Sequence, residues 1–150
     1  MTNAVCKSHN KSWVIIETCR LHAIQRNKTI LNVMVNFLHP TNSVSMRVQI
    51  LKKANGYKPW IFDVTFDACK FIKDKSNKAV KVIFDLFKDF SSLNHTCPYV
   101  GTNGILGFYP KADRLSVPMP TGDYLLLMFW KFYNKLQFET NVYFTFVEDF

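Results

Sequence analysis

At 150 residues the chain is long enough to bury a full hydrophobic core, and we expect a single domain over residues 1–150. Apolar residues make up 48% of it, including 14 Phe, 6 Tyr and 3 Trp, and only 20% are charged, which excludes a disordered segment or a coiled coil. The net charge is +8, but the basic residues are scattered along the chain. We therefore expect a solvated basic surface and no nucleic-acid partner.

The chain begins with a predicted hairpin. A short strand around Cys6 should turn back into a strand over residues 13–24, which would set Cys6 opposite Cys19. Cys69 and Cys97 form the second predicted disulfide. We choose the pairs Cys6–Cys19 and Cys69–Cys97 because each would close one local loop of the chain. The four cysteines are even in number, widely spaced and without metal-ligand spacing. We expect two disulfides, an oxidising compartment, and neither a metal nor a cofactor.

Other features support the same compartment. Three N-x-[ST] glycosylation sequons begin at Asn10, Asn27 and Asn94, each in a predicted turn. The longest apolar run, residues 124–130, is too short to cross a bilayer, so we expect no transmembrane segment. The first residues lack the apolar run of a signal peptide, and a secreted protein would need a leader before the residues shown. We expect a secreted, extracellular glycoprotein.

The next part of the chain alternates between apolar and polar residues, which indicates strands with one buried face. Strands are predicted over residues 30–38, 44–51 and 60–69, with a turn over residues 39–42 and a tight turn at Asn55 and Gly56 before the third strand. The predicted inward residues are Leu31, Val33, Val35, Phe37, Val44, Met46, Val48, Ile50, Trp60, Phe62, Val64, Phe66 and Ala68.

The hydrophobic period changes once, between Cys69 and Cys97. The apolar residues of this stretch recur at helical spacing, and charged residues lie on the opposite side. The apolar residues are Val80, Ile83, Phe84 and Phe87. This pattern predicts one amphipathic helix over residues 77–90.

The C-terminal part returns to strand patterns. Residues 99–109 are Gly-rich and predict an irregular strand, and residues 118–122 predict a sharp turn. Strands over 124–135 and 138–147 form a final predicted hairpin, with its turn over residues 134–137. The inward residues of its second strand are Phe138, Thr140, Val142, Phe144 and Phe146.

No residues with the spacing of a catalytic site stand out. The chain has no nucleophile-elbow, zinc-protease or phosphate-binding motif. Asp63 and Asp67 share one face of a predicted strand, about 13 Å apart at roughly 3.3 Å per residue. Glycosidase carboxylates lie roughly 5–9.5 Å apart, so we interpret this pair as part of a polar outer face and expect no enzyme.

Four segments, in this order and spacing, resemble a known family. They are residues 53–59 (KANGYKP), 65–71 (TFDACKF), 94–99 (NHTCPY) and 118–124 (PMPTGDY). Together they resemble a large insect family of secreted proteins, mostly of unknown function, that includes the chemosensory B proteins. That family is thought to be related to the ML lipid-recognition domain. The resemblance covers essentially the whole chain, residues 6–148.

The spacing of strands and turn signals predicts an all-β sandwich or barrel, with one short helical insertion near residues 77–90. The resemblance implies that it is an immunoglobulin-like sandwich of two antiparallel sheets. It also implies an apolar ligand between the sheets, whereas alternation alone cannot distinguish a filled core from an open pocket. The predicted pocket residues are Val33, Val35, Phe37, Met46, Val48, Phe62, Val64, Phe66, Phe84, Phe87, Leu126, Met128, Trp130, Phe144 and Phe146.

Two functions follow from these expectations. The first is a monomeric carrier of a small hydrophobic ligand, such as a lipid, fatty-acid derivative or hydrocarbon, in chemosensation. The alternative is an extracellular interaction module with a closed core that acts on a membrane receptor or channel. The alternative predicts no cavity above about 100 Å³ and an exposed apolar patch of several hundred Å².

Overall fold

The computed structural model describes residues 1–26, 28–93, 95–109 and 120–146, without the side chains of residues 60 and 61. Eight strands and two helices are found in these ranges. The strands are β1 (Asn3–Ser8), β2 (Val14–Gln25), β3 (Lys28–Thr41), β4 (Val44–Ala54), β5 (Gly56–Asp67), β6 (Tyr99–Phe108), β7 (Gly122–Phe132) and β8 (Lys135–Phe146); the helices, between β5 and β6, are α1 (Ala68–Asp74) and α2 (Lys78–Phe87).

The strands form two antiparallel sheets. The larger has the order β1-β8-β7-β4-β5, and the smaller has the order β2-β3-β6. The predicted all-β, two-sheet antiparallel sandwich with a short helical insertion is therefore confirmed.

The alternating residues point into the space between the sheets, as predicted. On β3 the inward residues Leu31, Val33, Val35 and Phe37 are all buried. At one end of the sandwich the ring of Phe37 lies 5.5 Å from that of Phe132 and 6.1 Å from that of Phe138. These contacts join the two sheets through aromatic packing.

The predicted hairpin between β1 and β2 is wrong, although the Cys6–Cys19 disulfide is confirmed. β1 pairs with β8 in the larger sheet, and β2 pairs with β3 in the smaller one. The disulfide therefore connects the two sheets at one edge of the sandwich, with a Cα–Cα distance of 6.0 Å. A disulfide needs only this short separation, which facing strands satisfy as well as paired ones do.

The predicted single helix is also incomplete, because two short helices are found. α2 begins and ends inside the predicted range 77–90, and its N-cap is Asn77, whose side chain accepts from the backbone N–H groups of Ala79 and Val80. α1 begins where a strand was predicted to continue. Asp67 caps it by accepting from the backbone N–H of Lys70, which stops β5 and starts the helix.

Several strand ends differ from the predictions. β3 extends through His39 and Pro40, which were predicted to form a turn. The final hairpin turns at Tyr133 and Asn134, both with positive φ, which is the geometry of a tight two-residue turn. Residues 99–109 do contain a strand, β6, while residues 118 and 119 of the predicted turn lie outside the described residues and β7 begins at Gly122.

Candidate ligand-binding cavity

An apolar cavity of about 140 Å³ lies between the two sheets. Both sheets supply its walls, through inward residues of β3 and β6 on one side and of β4, β5, β7 and β8 on the other. The residues that line it most extensively are apolar, among them Val35, Phe37, Val48, Phe62 and Met128. Such a space is suited to an apolar occupant.

The two helices cover one side of this cavity. α1 contributes Phe71, and α2 contributes Ile83 and Phe84 along the apolar side of the helix. The Phe71 ring lies 6.0 Å from the ring of Phe66 on β5 and 5.4 Å from that of Phe84, so the aromatic contacts run from the sheet through both helices. We call residues 68–87 the helical cover.

Two disulfides cross-link the sandwich, one at the helical cover and one at the opposite edge. Cys69 in α1 is bonded to Cys97, just before β6, which ties the helical cover to the smaller sheet and confirms the second predicted pair. On the opposite side of the sandwich, Cys6 and Cys19 join β1 to β2. The Cys69–Cys97 disulfide therefore fixes a wall of the cavity, whereas the Cys6–Cys19 disulfide joins the two sheets through β1 and β2, whose residues are not among those that line it.

Most of the predicted pocket residues lie around this cavity. Eleven of them line it: Val33, Val35, Phe37, Met46, Val48, Phe62, Phe66, Phe84, Phe87, Met128 and Trp130. The other four do not line it. Val64 and Phe146 are partly buried against the core, Leu126 is fully buried, and Phe144 stacks on Tyr124 at 5.6 Å.

Sequence reasoning missed other residues of the cavity wall. Val80 and Ile83 were recognised as one helical face but not as pocket residues, and Thr140 was placed on an inward face but not in the pocket. Asn103 and Gly104 come from the Gly-rich segment whose structure was least clear from sequence. The one signal in the sequence that could have pointed to a cavity residue is Thr140, a polar side chain on an otherwise apolar strand face.

Few polar groups reach the cavity, and most of them are already paired. The side-chain amide of Asn103 donates to the carbonyl of Val100 at 3.1 Å, and its oxygen accepts from the Ser92 hydroxyl at 3.3 Å. Thr140 is 4% exposed, and its hydroxyl accepts from the indole N–H of Trp130 at 3.3 Å.

Tyr99 is buried beside the cavity, and this burial raises the pKa of its hydroxyl to about 12. The hydroxyl faces the carbonyls of Leu93 and His95, at 2.9 and 3.0 Å. Burial disfavours the charged phenolate, so the folded protein keeps this side chain neutral at pH values where an unfolded tyrosine ionises.

We expect this burial to make the protein less stable in alkali. Below pH 10 the hydroxyl is neutral in both states, and stability is lost as the pH rises from about 10 towards 12, because only the unfolded state releases the proton. By pH 11.5 the loss should reach roughly 2 kcal/mol. Urea unfolding of wild type and of Tyr99→Phe between pH 9 and 11.5 measures this loss of unfolding free energy. Every other tyrosine is present in both proteins, so parallel curves would contradict the assignment to Tyr99.

The predicted carboxylate pair has structural roles. Asp63 lies on the outer face and accepts from the Arg47 guanidinium at 2.8 Å, a contact that holds the pKa of Asp63 below its usual value. Asp67 caps α1. Within the described ranges, no three His, Cys, Asp or Glu side chains gather as metal ligands. Neither helix there is long and apolar enough to cross a bilayer.

Of the three sequons, only the one at Asn10 lies within the described residues. Asn10 is in the turn before β2, as predicted, and its side-chain oxygen accepts from the backbone N–H and the hydroxyl of Ser12. Asn27 and Asn94 lie outside the described residues.

Residues 46–126 match a protein family described as "protein of unknown function (DUF1091)". The chain belongs to this family. No curated protein matches it. The part of the chain that matches DUF1091 runs from β4 into β7 and contains the whole helical cover and the Cys69–Cys97 disulfide. The walls supplied by β3 and β8 lie outside it, so the DUF1091 match includes part of the cavity and not all of it.

Proposed function

We propose that the protein is a secreted carrier that holds a small hydrophobic ligand between its two sheets. The observation that carries the proposal is the apolar cavity of about 140 Å³, enclosed by both sheets and by the helical cover. An unfilled apolar space inside a sandwich sacrifices packing contacts, which a bound apolar ligand would restore.

The disulfides and the four motifs support the extracellular part of the proposal. Two disulfides are typical of proteins from oxidising compartments. The segments that resemble the insect chemosensory B proteins form the β4–β5 hairpin, the junction of β5 with α1, and the loop before β6. We propose on this resemblance a relation to the ML lipid-recognition domain and a role in chemosensation, as a monomer.

The cavity favours the carrier over the interaction module with a closed core, which would have no cavity above about 100 Å³. Exposed apolar side chains do occur in the described residues, the most exposed being Leu106 and Val100. Single exposed apolar residues are common on soluble proteins and do not by themselves indicate a partner.

Enlarging one cavity residue tests the proposal. Val35 is 3% exposed and lines the cavity, so Val35→Phe should place the added ring carbons in the space the ligand would occupy. We expect uptake of a fluorescent fatty acid to fall at least about tenfold, equivalent to about 1.4 kcal/mol. Mass spectrometry of lipid extracted from the purified protein should show the same loss.

Val64→Phe is the matched control, because Val64 packs against the same core without lining the cavity. Its uptake should stay within about twofold of wild type, and near-UV circular dichroism should show that both variants are folded. Val48→Phe, from the facing sheet, provides a second cavity variant if Val35→Phe fails to fold. Wild-type protein that takes up no acyl or sterol probe and no short apolar ligand would overturn the proposal.

A further inference from the structure

We infer that the ligand is a short, neutral aliphatic molecule whose one hydrogen-bond-accepting oxygen, as in a ketone, aldehyde or ester, binds the hydroxyl of Thr140. This inference rests on the proposed carrier function and specifies the chemistry of its ligand. It follows from the hydrogen bonds, the charges and the size of the cavity.

The Thr140 hydroxyl is a buried donor without an acceptor. Thr140 lines the cavity, and the one hydrogen bond found for its hydroxyl among the described residues is the one that it accepts from the Trp130 indole, so its own proton has no acceptor there. A buried donor left unpaired costs roughly 1–3 kcal/mol, so a ligand oxygen placed beside it would be favoured.

The other polar side chains of the cavity wall do not compete for this role. Asn103 uses its amide and its oxygen in hydrogen bonds within the protein, and the Tyr99 hydroxyl is directed at two backbone carbonyls. Ser91 is only half-buried, so water can pair with its hydroxyl. Thr140 is therefore the best-buried side chain on the cavity with a donor to offer.

Electrostatics favour a neutral ligand. The cationic side chain on the cavity wall is Lys88, which already lies 3.5 Å from Asp85. An ionised carboxylate moved from water into this apolar space would lose its hydration without a dedicated counter-ion, which is far more costly than burial of a carbonyl group. A fatty-acid anion should therefore bind more weakly than a ketone of similar length.

The volume sets the length of the ligand. A cavity of about 150 Å³ admits benzene, and drug-sized ligands need roughly 300 Å³ or more, so this cavity suits about six to eight non-hydrogen atoms. Thr140 is on β8, three strands away from β5 and the helical cover, or roughly 14 Å at about 4.8 Å per strand. A ligand admitted beside the helical cover would place its oxygen towards the far wall.

Calorimetric titration with 2-hexanone, n-heptane and hexanoate tests the inference. In Thr140→Val the affinity for 2-hexanone should fall about tenfold, while that for n-heptane stays within about twofold. Wild type should bind hexanoate at pH 7 at least about tenfold more weakly than 2-hexanone. The ¹³C resonance of the labelled ketone carbonyl should lie further downfield in the complexes with wild type and with Thr140→Ser than in the complex with Thr140→Val.

The same comparison in a Trp130→Phe background excludes one ambiguity, because the indole N–H released by Thr140→Val could itself donate to the ketone. Loss of ketone affinity on adding Thr140→Val to Trp130→Phe supports the assignment. The assignment is overturned if the affinities for ketone and alkane fall equally, if neither affinity falls, or if hexanoate binds as tightly as 2-hexanone. If none of the three probes binds but the fluorescent fatty acid does, this inference fails and the carrier function stands; if neither class binds, both fail.

Discussion

Replacing both Cys69 and Cys97 by serine should lower the free energy of unfolding by about 3–4 kcal/mol, because the disulfide closes a loop of about 29 residues in the unfolded chain. The loss should be concentrated in the helical cover. α1 has 7 residues and α2 has 10, and helices of such length are not stable in isolation. Amide hydrogen exchange should therefore accelerate in residues 68–87 before the sheets unfold, and uptake of the fluorescent fatty acid should weaken.

The matched control is the removal of the other disulfide, with Cys6 and Cys19 both changed to serine. Its loop is shorter, so the expected loss is about 3 kcal/mol. Here the faster exchange should appear in β1 and β2, at the opposite edge of the sandwich, with the helical cover still protected. Urea unfolding gives the two energies. Identical exchange patterns in the two variants would contradict separate roles for the disulfides.

The parts of the fold that could be predicted from sequence are those with one strongly buried face. β3, β4 and β8 were recognised because their inward residues alternate without interruption, as in Val44, Met46, Val48 and Ile50. Alternation records only whether a side chain faces the core. It contains no information on which other strand lies opposite, and for that reason β1 was paired with β2 although it pairs with β8.

The helical cover was harder to predict because its first helix begins within an alternating segment. Phe66 and Ala68 continue the period of β5, but Asp67 between them caps α1 and changes the direction of the chain. An aspartate is common in turns as well, and the residue three positions after Asp67 is Lys70, not the Glu or Gln of a capping box, so this capping signal was too weak to decide the boundary.

The cavity itself depends on distances that no sequence pattern contains. Leu126 and Met128 lie two residues apart on the same face of β7, and only Met128 lines the cavity. Both are 7% exposed, so neither burial nor alternation separates them. Sequence reasoning could therefore place eleven pocket residues correctly around the cavity without showing that the cavity exists.

Gly104→Ala should be among the most destabilising single substitutions in the chain. Gly104 pairs with Met34 across β6 and β3, and a Cβ atom there would lie 1.9 Å from the backbone oxygen of Val33. Backbone cannot move aside as a flexible side chain can, so β6 would have to separate from β3 and lose part of their hydrogen bonding. We expect the free energy of unfolding to fall by at least about 3 kcal/mol, at the upper end of the range for overpacking.

Gly101→Ala is the matched control for this effect. Gly101 lies on the same strand at φ 76°, with no atom within 4 Å of an added Cβ, so only backbone strain of about 1–2 kcal/mol is expected.

The consequence of the two substitutions for ligand uptake should differ as well. The backbone of Gly104 also donates to the Ser92 hydroxyl and accepts from the Ser92 N–H, which holds the segment after α2 against β6. Gly104→Ala should therefore loosen the wall of the cavity and reduce uptake of the fluorescent fatty acid, whereas Gly101→Ala should leave uptake within about twofold of wild type. Urea unfolding and uptake measured on the same two proteins check both expectations, and equal destabilisation by the two substitutions would show that β3 and β6 are not in such close contact at Gly104.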